Sequence, residues 1–450
     1  MTETAFWCEQ AWLGGDDVAR GVALTVTDDS ITAVEHPVAT PPSRATRLAG
    51  LTLPGLANAH SHAFHRALRG RTHQGTGTFW TWRERMYALA GTLDPEAYEA
   101  LARATFAEMV LAGYTVVGEF HYLHHGPAGV PYVDRNEMSH RLMSAAEQAG
   151  IRMTMLDTCY LQGAIGTPVN DVQARFTDGS VDQWIDRVGA LDGGPSCRIG
   201  AGIHSVRAVD PDSMRAVASW TEGHDAPLHA HVSEQPDENT ECLGTYGVTP
   251  VAMLDSVGAL SERFTAVHAT HVDATDIATL GSRRSRCCIC PTTERELADG
   301  IGPTAALVAG GVALCVGSDA HAVIDPFEEA RAIELDERLV SLRRGTHRPA
   351  DLLGAATAAG YESLGWPGGG TLAVGAPADF VTIGFDSPRL AGSDRWREPL
   401  AAVVFAAAAA DVRTVVVGGD VVVDDGRHRR VDVTVELDRS IAAVWATANQ

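Results

Sequence analysis

Lysine is absent from the sequence, and all 35 basic residues of the 450-residue chain are arginine. This absence excludes every mechanism that needs a lysine amine. A Schiff base with a carbonyl substrate cannot form, the phosphate-binding lysine of a P-loop is missing, and no carboxylated lysine can bridge two metal ions. The chemistry of this protein must therefore be sought in other residue types.

Long apolar segments, a signal sequence and a disulfide pattern are also missing. The longest apolar run, LAAVVFAAAAA at residues 400–410, is far below the roughly 20 residues that a membrane-spanning helix needs. The N-terminal sequence MTETAFWCEQAWL has no basic segment followed by an apolar core. Eight cysteines in 450 residues do not form a disulfide framework. We therefore expect a cytoplasmic protein with reduced cysteines.

Basic charge is scarce as well. The 35 arginines are outnumbered by 57 Asp and Glu residues, which gives a formal net charge of −22. Nucleic acids and anionic membranes both bind basic surfaces, so neither is an expected partner. A hydrophobic content of 45% with 20% charged residues is typical of a soluble globular chain. We expect a small-molecule substrate and a homodimer, the commonest assembly of soluble proteins.

The main pattern that is present is an alternation of strands and helices. Between residues 52 and 320, a short β-rich run that ends in polar residues is followed by a helical stretch eight times. Such alternation predicts a parallel sheet covered by helices, and eight units predict an α/β fold of the (β/α)8 TIM-barrel type. The runs are LTLPGLANAHSH, YTVVGEFHY, IRMTMLDTCY, RIGAGIHSVR, PLHAHVSE, FTAVHATH, RCCICPTTE and VALCVGSDAH.

The two ends of the chain have a different pattern. GVALTVTDDSITAVEH near the N-terminus and VRTVVVGGDVVVDDGRH near the C-terminus each contain two β-runs joined by turn residues. We therefore predict a small β-sandwich domain built from both termini, residues 1–53 and 371–450. The barrel is predicted to occupy residues 54–370.

One helix of the predicted barrel is clearly delimited. Asp94 suits its N-cap, Pro95 its first position, and Gly113 follows its last turn. Apolar residues at helical spacing predict its buried face, namely Tyr98, Leu101, Phe106, Met109 and Val110.

Metal-ligand side chains recur at the ends of the predicted strands. In NAHSHAFHR, His60 and His62 are two residues apart and therefore face the same side of a strand. Run five ends near His231, run six near His268 and run eight near Asp319. Such strand ends meet in one pocket of a (β/α)8 enzyme. His60, His62, His231 and Asp319 suit one divalent ion with an open position for water: Zn²⁺ first, with Fe²⁺ and Mn²⁺ as alternatives.

Three side chains around this predicted metal site are candidates for catalysis. A divalent ion lowers the pKa of a bound water to about 7, and Asp319 would orient that water as well as bind the metal. His268 would polarise the attacked group or stabilise developing charge. Glu234, three residues after His231, would carry a proton from the water to a leaving nitrogen. This combination favours a deamination.

Other histidines leave alternatives open. His229 shares a strand face with His231, so their ligand and packing roles could be exchanged, and we favour His231 because Glu234 follows it. His121, His124 and His125 in HYLHHG have the pattern of a polar loop.

The arrangement resembles that of the amidohydrolase superfamily, in which strand one carries His-x-His, strands five and six a His, and strand eight an Asp. The segment GTLAVGAPADFVTI is similar to the superfamily's return into its accessory β-domain. Two-metal members bridge the ions with a carboxylated lysine from strand four, whereas run four here ends in His204. The resemblance is therefore to the single-metal branch, and HVSE, from His231 to Glu234, resembles the motif of its deaminases.

Within that branch, the motifs resemble those of the formimidoylglutamate deiminase family of histidine degradation. The resemblance implies hydrolysis of N-formimidoyl-L-glutamate to N-formyl-L-glutamate and ammonia. It also implies that His65, Tyr122, His204 and Arg207 contact the substrate. The motifs concerned are NAHSHAFHR, EFHYLHH, IHSVRAV, HVSEQ, VHATH, CPTTE and GSDAH.

Arginine at the mouth of the barrel independently fits an acidic substrate, because a guanidinium group binds a carboxylate through two hydrogen bonds. Arg207, three residues after His204, is the best candidate. Arg83 or Arg85, in WRERMY on the long loop after strand one, would supply a second contact. The alternative for each is a solvated surface residue.

Two other functions are considered. A deaminase of a nucleobase or related heterocycle, such as guanine, needs aromatic stacking partners, for which Trp80, Trp82 and Tyr122 are available. Such an enzyme has no need of Arg207. A non-catalytic metal-binding protein on the same barrel would need no acid–base residues beside the metal.

Overall fold

The computed structural model describes residues 3–73 and 77–448, which form sixteen strands in two eight-stranded sheets. The outermost limits of the predicted domains, residues 1 and 450, lie outside these ranges. The first sheet contains β1 (Glu3–Ala11), β2 (Ala19–Thr27), β3 (Ser30–Glu35), β4 (Thr46–Pro54), β13 (Phe380–Ile383), β14 (Val412–Val417), β15 (Asp420–Asp424) and β16 (Arg427–His428). The second contains β5 (Leu56–Ser61), β6 (Tyr114–His121), β7 (Arg152–Cys159), β8 (Cys197–Ile203), β9 (Leu228–Val232), β10 (Phe264–His268), β11 (Arg286–Ile289) and β12 (Ala313–Val316).

The second sheet is the predicted barrel. Its strands pair in parallel and in sequence from β5 to β12, and an isolated parallel bridge between Ser61 and Asp319 joins the two edge strands into a nearly closed barrel. Every residue of β6, β7, β9 and β10 is buried, as expected for parallel strands covered by helices on one side and packed against the barrel interior on the other. The (β/α)8 prediction is confirmed.

The first sheet is built from both termini, as predicted. Its strand order is β16-β15-β14-β13-β4-β1-β2-β3, so that β4 of the N-terminal part pairs with β13 of the C-terminal part. All eight strands belong to one continuous hydrogen-bonded sheet. Phe6 of β1 and Phe380 of β13 pack edge to face in its hydrophobic core, with ring centroids 4.9 Å apart.

Six of the described helices, α2, α4, α5, α7, α8 and α11, start at a residue whose side chain accepts a hydrogen bond from the first turn. Asp94 accepts a hydrogen bond from the Ala97 amide at the start of α2, and Gly113 ends that helix with a φ of 109°, which favours glycine. The described helices are α1 (Phe79–Thr92), α2 (Pro95–Ala112), α3 (Glu137–Ala149), α4 (Val181–Val188), α5 (Pro211–His224), α6 (Pro236–Tyr246), α7 (Pro250–Ser256), α8 (Ala274–Ser282), α9 (Pro291–Glu296), α10 (Thr304–Ala309), α11 (Pro326–Ser341), α12 (Pro349–Ala356), α13 (Ala358–Ser363), α14 (Pro399–Ala406) and α15 (Val433–Ala448).

The C-terminal segment contains more than strands. Helix α15 follows β16 and packs on the barrel helix α2 through buried Leu437 and Val444, while Arg103 of α2 forms an ion pair with Glu436. This helix therefore joins the terminal segment to the outside of the barrel. Among the described helices, none combines the length and the apolar character needed to cross a membrane.

Candidate metal centre and active site

Four predicted metal ligands meet at the carboxyl end of the barrel. His60 lies in β5, His62 directly follows that strand, His231 lies in β9, and Asp319 follows β12. The four side chains are buried, and one nitrogen or oxygen atom of each lies within 4.8 Å of those of the others. The Asp319 Oδ1 atom is 3.5 Å from His60 Nε2 and 3.3 Å from His62 Nε2.

The imidazole nitrogens in this cluster fit a cation. His62 Nδ1 donates a hydrogen bond to the Phe120 carbonyl and His231 Nδ1 donates one to the His204 carbonyl, both at 2.9 Å. In each neutral ring, Nε2 then carries a lone pair that faces the cluster. His60 Nε2 lies only 3.1 Å from His231 Nε2. Two nitrogen lone pairs at this distance repel each other, and a positive ion between them removes that repulsion. The donor set is therefore suitable for a divalent metal.

Burial keeps these histidines in the form that binds metals. Burial, together with the neighbouring histidines, lowers the pKa of His60 and His231 well below the ordinary value. Burial also lowers the pKa of His62, although Asp319 opposes this shift. Neutral imidazole is the ligand form of histidine, so these nitrogens are available without the loss of a proton.

His229 occupies a different environment from His231. Its Nε2 donates a hydrogen bond to the Ser363 carbonyl at 2.9 Å, and burial lowers its pKa to about 4. The residue contacts the last residue of α13 and is not part of the four-residue cluster. The geometry therefore favours His231 over His229 as the ligand.

Two further predicted residues lie beside the cluster. His268 Nε2 is 3.6 Å from Asp319 Oδ2 and 3.8 Å from Glu234 Oε1, and its Nδ1 donates to Glu294 Oε1 at 3.3 Å. Burial lowers the pKa of His268, but the Glu294 hydrogen bond and the charges of Glu234 and Asp319 raise it to about 10. The three predicted catalytic side chains thus surround one small volume next to the metal cluster.

The backbone that presents these groups adopts left-handed conformations. The φ angles are 50° at Ser233, 70° at His268 and 42° at Asp319. Non-glycine residues rarely adopt such angles, and residues that do are found disproportionately at functional sites.

A buried carboxyl group fixes the loop after β5, since Glu119 accepts hydrogen bonds from Ser61 Oγ and from the Ala63 amide at 2.6 and 2.7 Å.

A cavity of about 220 Å³ opens above the cluster. Its wall is largely aromatic, and much of it comes from α1, which follows the first barrel strand. The residues that line it and that bear on function are His62, His65, Trp80, Trp82, Arg83, Met86, Tyr87, Tyr122, Tyr160, Phe176, His204, Arg207, His231, Glu234 and Asp319.

The three other predicted substrate contacts, His65, Tyr122 and His204, all line this cavity. His65 Nε2 is hydrogen-bonded to Tyr122 Oη at 2.9 Å, and the buried His65 Nδ1 has no hydrogen-bond partner among the described residues. The His204 ring packs edge-on to Tyr160, with centroids 4.5 Å apart. The structure thus brings together side chains from three different strand ends.

The three predicted arginine contacts differ in their position relative to the cavity. Arg207 and Arg83 both line the cavity, whereas Arg85 is exposed on the other side of α1. Arg83 Nε donates to Tyr87 Oη at 2.5 Å, and its guanidinium lies 5.5 Å from the Trp80 ring centre. Arg207 Nη2 donates to Glu234 Oε2 at 3.4 Å. Arg83, and not Arg85, is therefore placed for a second contact to an acidic group.

Two residues that support the cavity, Gln173 and Glu238, were not predicted from the sequence. Gln173 Nε2 donates to Tyr87 Oη at 2.9 Å and to Tyr160 Oη at 2.8 Å, which ties α1 to the loop after β7. Buried Glu238 lies beside Arg207. Gln173 has no motif around it that could have identified it, whereas Glu238 is four residues after Glu234 on the next helix.

The HYLHHG histidines are buried: His121 ends β6, and His124 and His125 lie in the loop that follows it. His124 Nε2 donates to the Thr158 carbonyl at 2.9 Å, and His125 Nε2 lies 3.1 Å from Asp178. His121, His124 and Asp157 are close enough to hold an ion, but the Asp157 carboxylate already accepts two 2.8 Å hydrogen bonds from the guanidinium of Arg187. That cation disfavours a metal ion here, so we interpret the cluster as structural.

Fold and site together define a metal-dependent hydrolase built on a (β/α)8 barrel. Residues 51–422 match the model of the amidohydrolase family. The chain belongs to the amidohydrolase family, and it is a hydrolase that acts on carbon–nitrogen bonds.

Three known proteins illustrate the similarity. The formimidoylglutamate deiminase of Pseudomonas aeruginosa is 36% identical, over 94% of this chain and 96% of the relative. A 5-methylthioadenosine/S-adenosylhomocysteine deaminase of Natronomonas pharaonis is 31% identical, over 88% of each chain. The crystal structure of an amidohydrolase from Brucella melitensis superposes with a TM-score of 0.90 at 31% identity, over 98% of this chain and 100% of the other.

Proposed function

We propose that this protein is a deiminase that hydrolyses N-formimidoyl-L-glutamate to N-formyl-L-glutamate and ammonia, with one divalent ion, Zn²⁺, as cofactor. The observation that carries the proposal is the composition of the cavity. Two arginines, Arg83 and Arg207, face a space whose floor is the histidine–aspartate cluster with Glu234 beside it. An acidic substrate with a hydrolysable nitrogen matches both parts of this cavity.

His60, His62, His231 and Asp319 would hold the ion. When bound, a divalent ion lowers the pKa of water so that a nucleophile is available at neutral pH. The water oxygen forms a bond to the formimidoyl carbon, and the carbon–nitrogen bond to the terminal nitrogen breaks. Balance requires that protons from the water reach that nitrogen, which leaves as ammonia.

The side chains beside the cluster suit these proton transfers. Glu234 reaches the same small volume as Asp319 and His268, because His268 Nε2 is within 4 Å of both carboxylates. Glu234 takes the proton from water and delivers it to the leaving nitrogen. His268, whose Nε2 faces the Glu234 and Asp319 carboxylates, donates to the developing negative charge at the attacked group.

The substrate-contact roles rest on position. His65, Tyr122 and His204 line the cavity, and each ring packs against His62 or His231, so they are proposed to hold the body of the substrate. The identity of 36% with the Pseudomonas aeruginosa formimidoylglutamate deiminase over nearly the whole of both chains supports this assignment.

The proposal is tested by ammonia release from N-formimidoyl-L-glutamate with purified protein loaded with Zn²⁺, Fe²⁺ or Mn²⁺ in separate samples. We expect turnover with at least one metal and N-formyl-L-glutamate as the second product. Absence of ammonia with every metal would reject the substrate assignment.

A deaminase of heterocycles is the second candidate, and the aromatic wall favours it. Trp82, Tyr122, Tyr160 and Phe176 all line the cavity and provide faces and edges for a flat ring. The Natronomonas pharaonis relative is named as a 5-methylthioadenosine/S-adenosylhomocysteine deaminase, which is a deaminase of this class. Guanine and 5-methylthioadenosine assayed in parallel distinguish the two candidates, because fast turnover of either would replace the deiminase proposal.

Replacement of Arg207 by alanine is expected to weaken binding of the acidic substrate. The lost guanidinium can no longer form charge-assisted hydrogen bonds to a substrate carboxylate, so KM for N-formimidoyl-L-glutamate should rise by about tenfold or more. Steady-state ammonia release measures this effect, with Arg85→Ala as the control because Arg85 is exposed and outside the cavity. An unchanged KM in Arg207→Ala would contradict the proposed contact.

A further inference from the structure

Glu238 is a buried carboxylate that faces Arg207 from behind the cavity wall. Only 1% of the residue is exposed, and its Oε2 lies 3.6 Å from Arg207 Nε. Within residues 3–73 and 77–448, neither of these two atoms has a hydrogen-bond partner. Buried charged atoms without partners are costly, so each of the two atoms is the natural partner of the other.

The other oxygen of Glu238 is already engaged. Glu238 Oε1 accepts a 3.0 Å hydrogen bond from the amide of Ser233, a residue with a φ of 50° in the turn that connects His231 to Glu234. Glu238 also lies in the first turn of α6, where a helix favours negative charge. The carboxylate is therefore held in place by the same turn that carries the proposed proton-transfer residue.

Arg207 bridges two carboxylates. Its Nε points to Glu238 and its Nη2 to Glu234, and the guanidinium lies 5.8 Å from the ring centre of Phe79. Burial lowers the pKa of Arg207, but Glu238 and Glu234 raise it above the ordinary value. Burial also raises the pKa of Glu238 and Arg207 opposes this shift, so each partner favours the charged form of the other.

A guanidinium group has five N–H donors in one plane. If Nε is directed at Glu238, the Nη side of that plane is directed away from it, toward Glu234 and the cavity. Without Glu238, the Nε side of the guanidinium would face no buried negative charge, and this orientation would lose the interaction that favours it. A neutral residue in place of Glu238 would also leave Glu234 as the one close carboxylate that Arg207 contacts in the part of the chain that the structure describes.

We propose that Glu238 is a positioning residue that orients Arg207 for a carboxylate group of the substrate and thereby makes the enzyme selective for acidic amidines. This role rests on the proposed deiminase function. Glu238 does not touch the substrate itself, because it is absent from the cavity lining. Its influence passes through Nε of Arg207.

The test compares the full-length, metal-loaded protein with its Glu238→Gln and Asp237→Asn variants. Glutamine retains an oxygen for the Ser233 amide but removes the charge opposite Arg207. Asp237→Asn removes one charge from the same helix turn at an exposed position and serves as the matched control. Two substrates are used: N-formimidoyl-L-glutamate and formamidine, which has the amidine group but no carboxylate.

For Glu238→Gln we expect KM for N-formimidoyl-L-glutamate to rise by about tenfold or more, with kcat within about threefold. The kcat/KM for formamidine and all constants of Asp237→Asn should be unchanged. Calorimetric binding of N-formyl-L-glutamate should weaken in parallel with the rise in KM, which gives a readout independent of turnover. Circular dichroism and bound-metal content confirm that each variant is folded.

Three results would overturn the inference. An unchanged KM for the acidic substrate in folded Glu238→Gln would reject the positioning role, and so would an equal loss of kcat/KM for both substrates, since that result indicates a general structural effect. If Glu238→Gln does not fold, Glu238→Asp is used instead, because aspartate keeps the charge but holds it farther from Arg207. Its KM for the acidic substrate should rise while kcat/KM for formamidine is unchanged, and an unchanged KM would again reject the positioning role. Absence of turnover of N-formimidoyl-L-glutamate by the unaltered protein would instead reject the proposed function, and the role of Glu238 with it.

Discussion

The Glu234→Gln variant is expected to retain its metal ion and to release ammonia about a thousandfold more slowly than the unaltered protein. Glutamine has nearly the same shape and still accepts a hydrogen bond from Arg207, but it cannot take up and return a proton. Loss of a positioned acid–base group costs about two to four orders of magnitude in rate. Because Glu234 is not one of the four clustered ligands, the metal content should stay at that of the unaltered protein.

The measurement combines steady-state ammonia release with metal analysis of the same sample. Asp237→Asn is again the control, because it removes a nearby carboxylate at an exposed position. Full activity in Glu234→Gln would remove Glu234 from the mechanism. A loss of metal together with the loss of activity would show that Glu234 supports the metal centre and would leave its proton-transfer role without support.

The His231→Gln variant is expected to lose both its metal ion and its activity. Its Nε2 is one of the nitrogens that face the cluster, 3.1 Å from His60 Nε2, and an amide oxygen is a poor substitute for imidazole at a zinc site. We expect metal affinity to fall by more than about a hundredfold, with ammonia release near background at low metal concentration.

His229→Gln is a closely matched control for this prediction. The two histidines lie two residues apart on β9, and both are buried, but His229 donates to the Ser363 carbonyl. A glutamine amide can keep that donor, so the variant should bind metal and remain active. Metal loss in His229→Gln with retention in His231→Gln would reverse the ligand assignment.

Much of the fold could be predicted because its signals are local. The alternation of β-runs and helices depends on side-chain periodicity within about 30 residues, and α2 is delimited by Asp94 and Gly113, as the sequence suggested. The metal residues could be predicted for a related reason. Parallel strands of a barrel place their carboxyl ends at one rim. Once the strand ends are located in the sequence, this rule places four residues at the same rim: His60, His62, His231 and Asp319.

The rest of the site could not be predicted because it depends on contacts between distant segments. Arg83 and Arg85 have equivalent sequence contexts, and only the rotation of α1 turns Arg83 toward the cavity. The HYLHHG histidines have the composition of an exposed loop, yet they are buried, and His124 and His125 lie beside Asp157 and Asp178, which are paired with Arg187. The periodicity of the sequence does not predict such side-chain contacts, because each contact joins residues from separate strands or loops.

The sequence by itself determined the barrel, the accessory sheet from both termini, the absence of lysine chemistry and, apart from the choice between His229 and His231, the residues of the candidate metal cluster. These features follow from composition, periodicity and the order of strands. The tertiary structure alone decided that His231 and not His229 faces the cluster, that Arg83 and not Arg85 lines the cavity, and that Glu238 lies behind Arg207. The physical reason is that orientation and pairing of buried polar groups depend on which distant partners can satisfy their charges and hydrogen bonds.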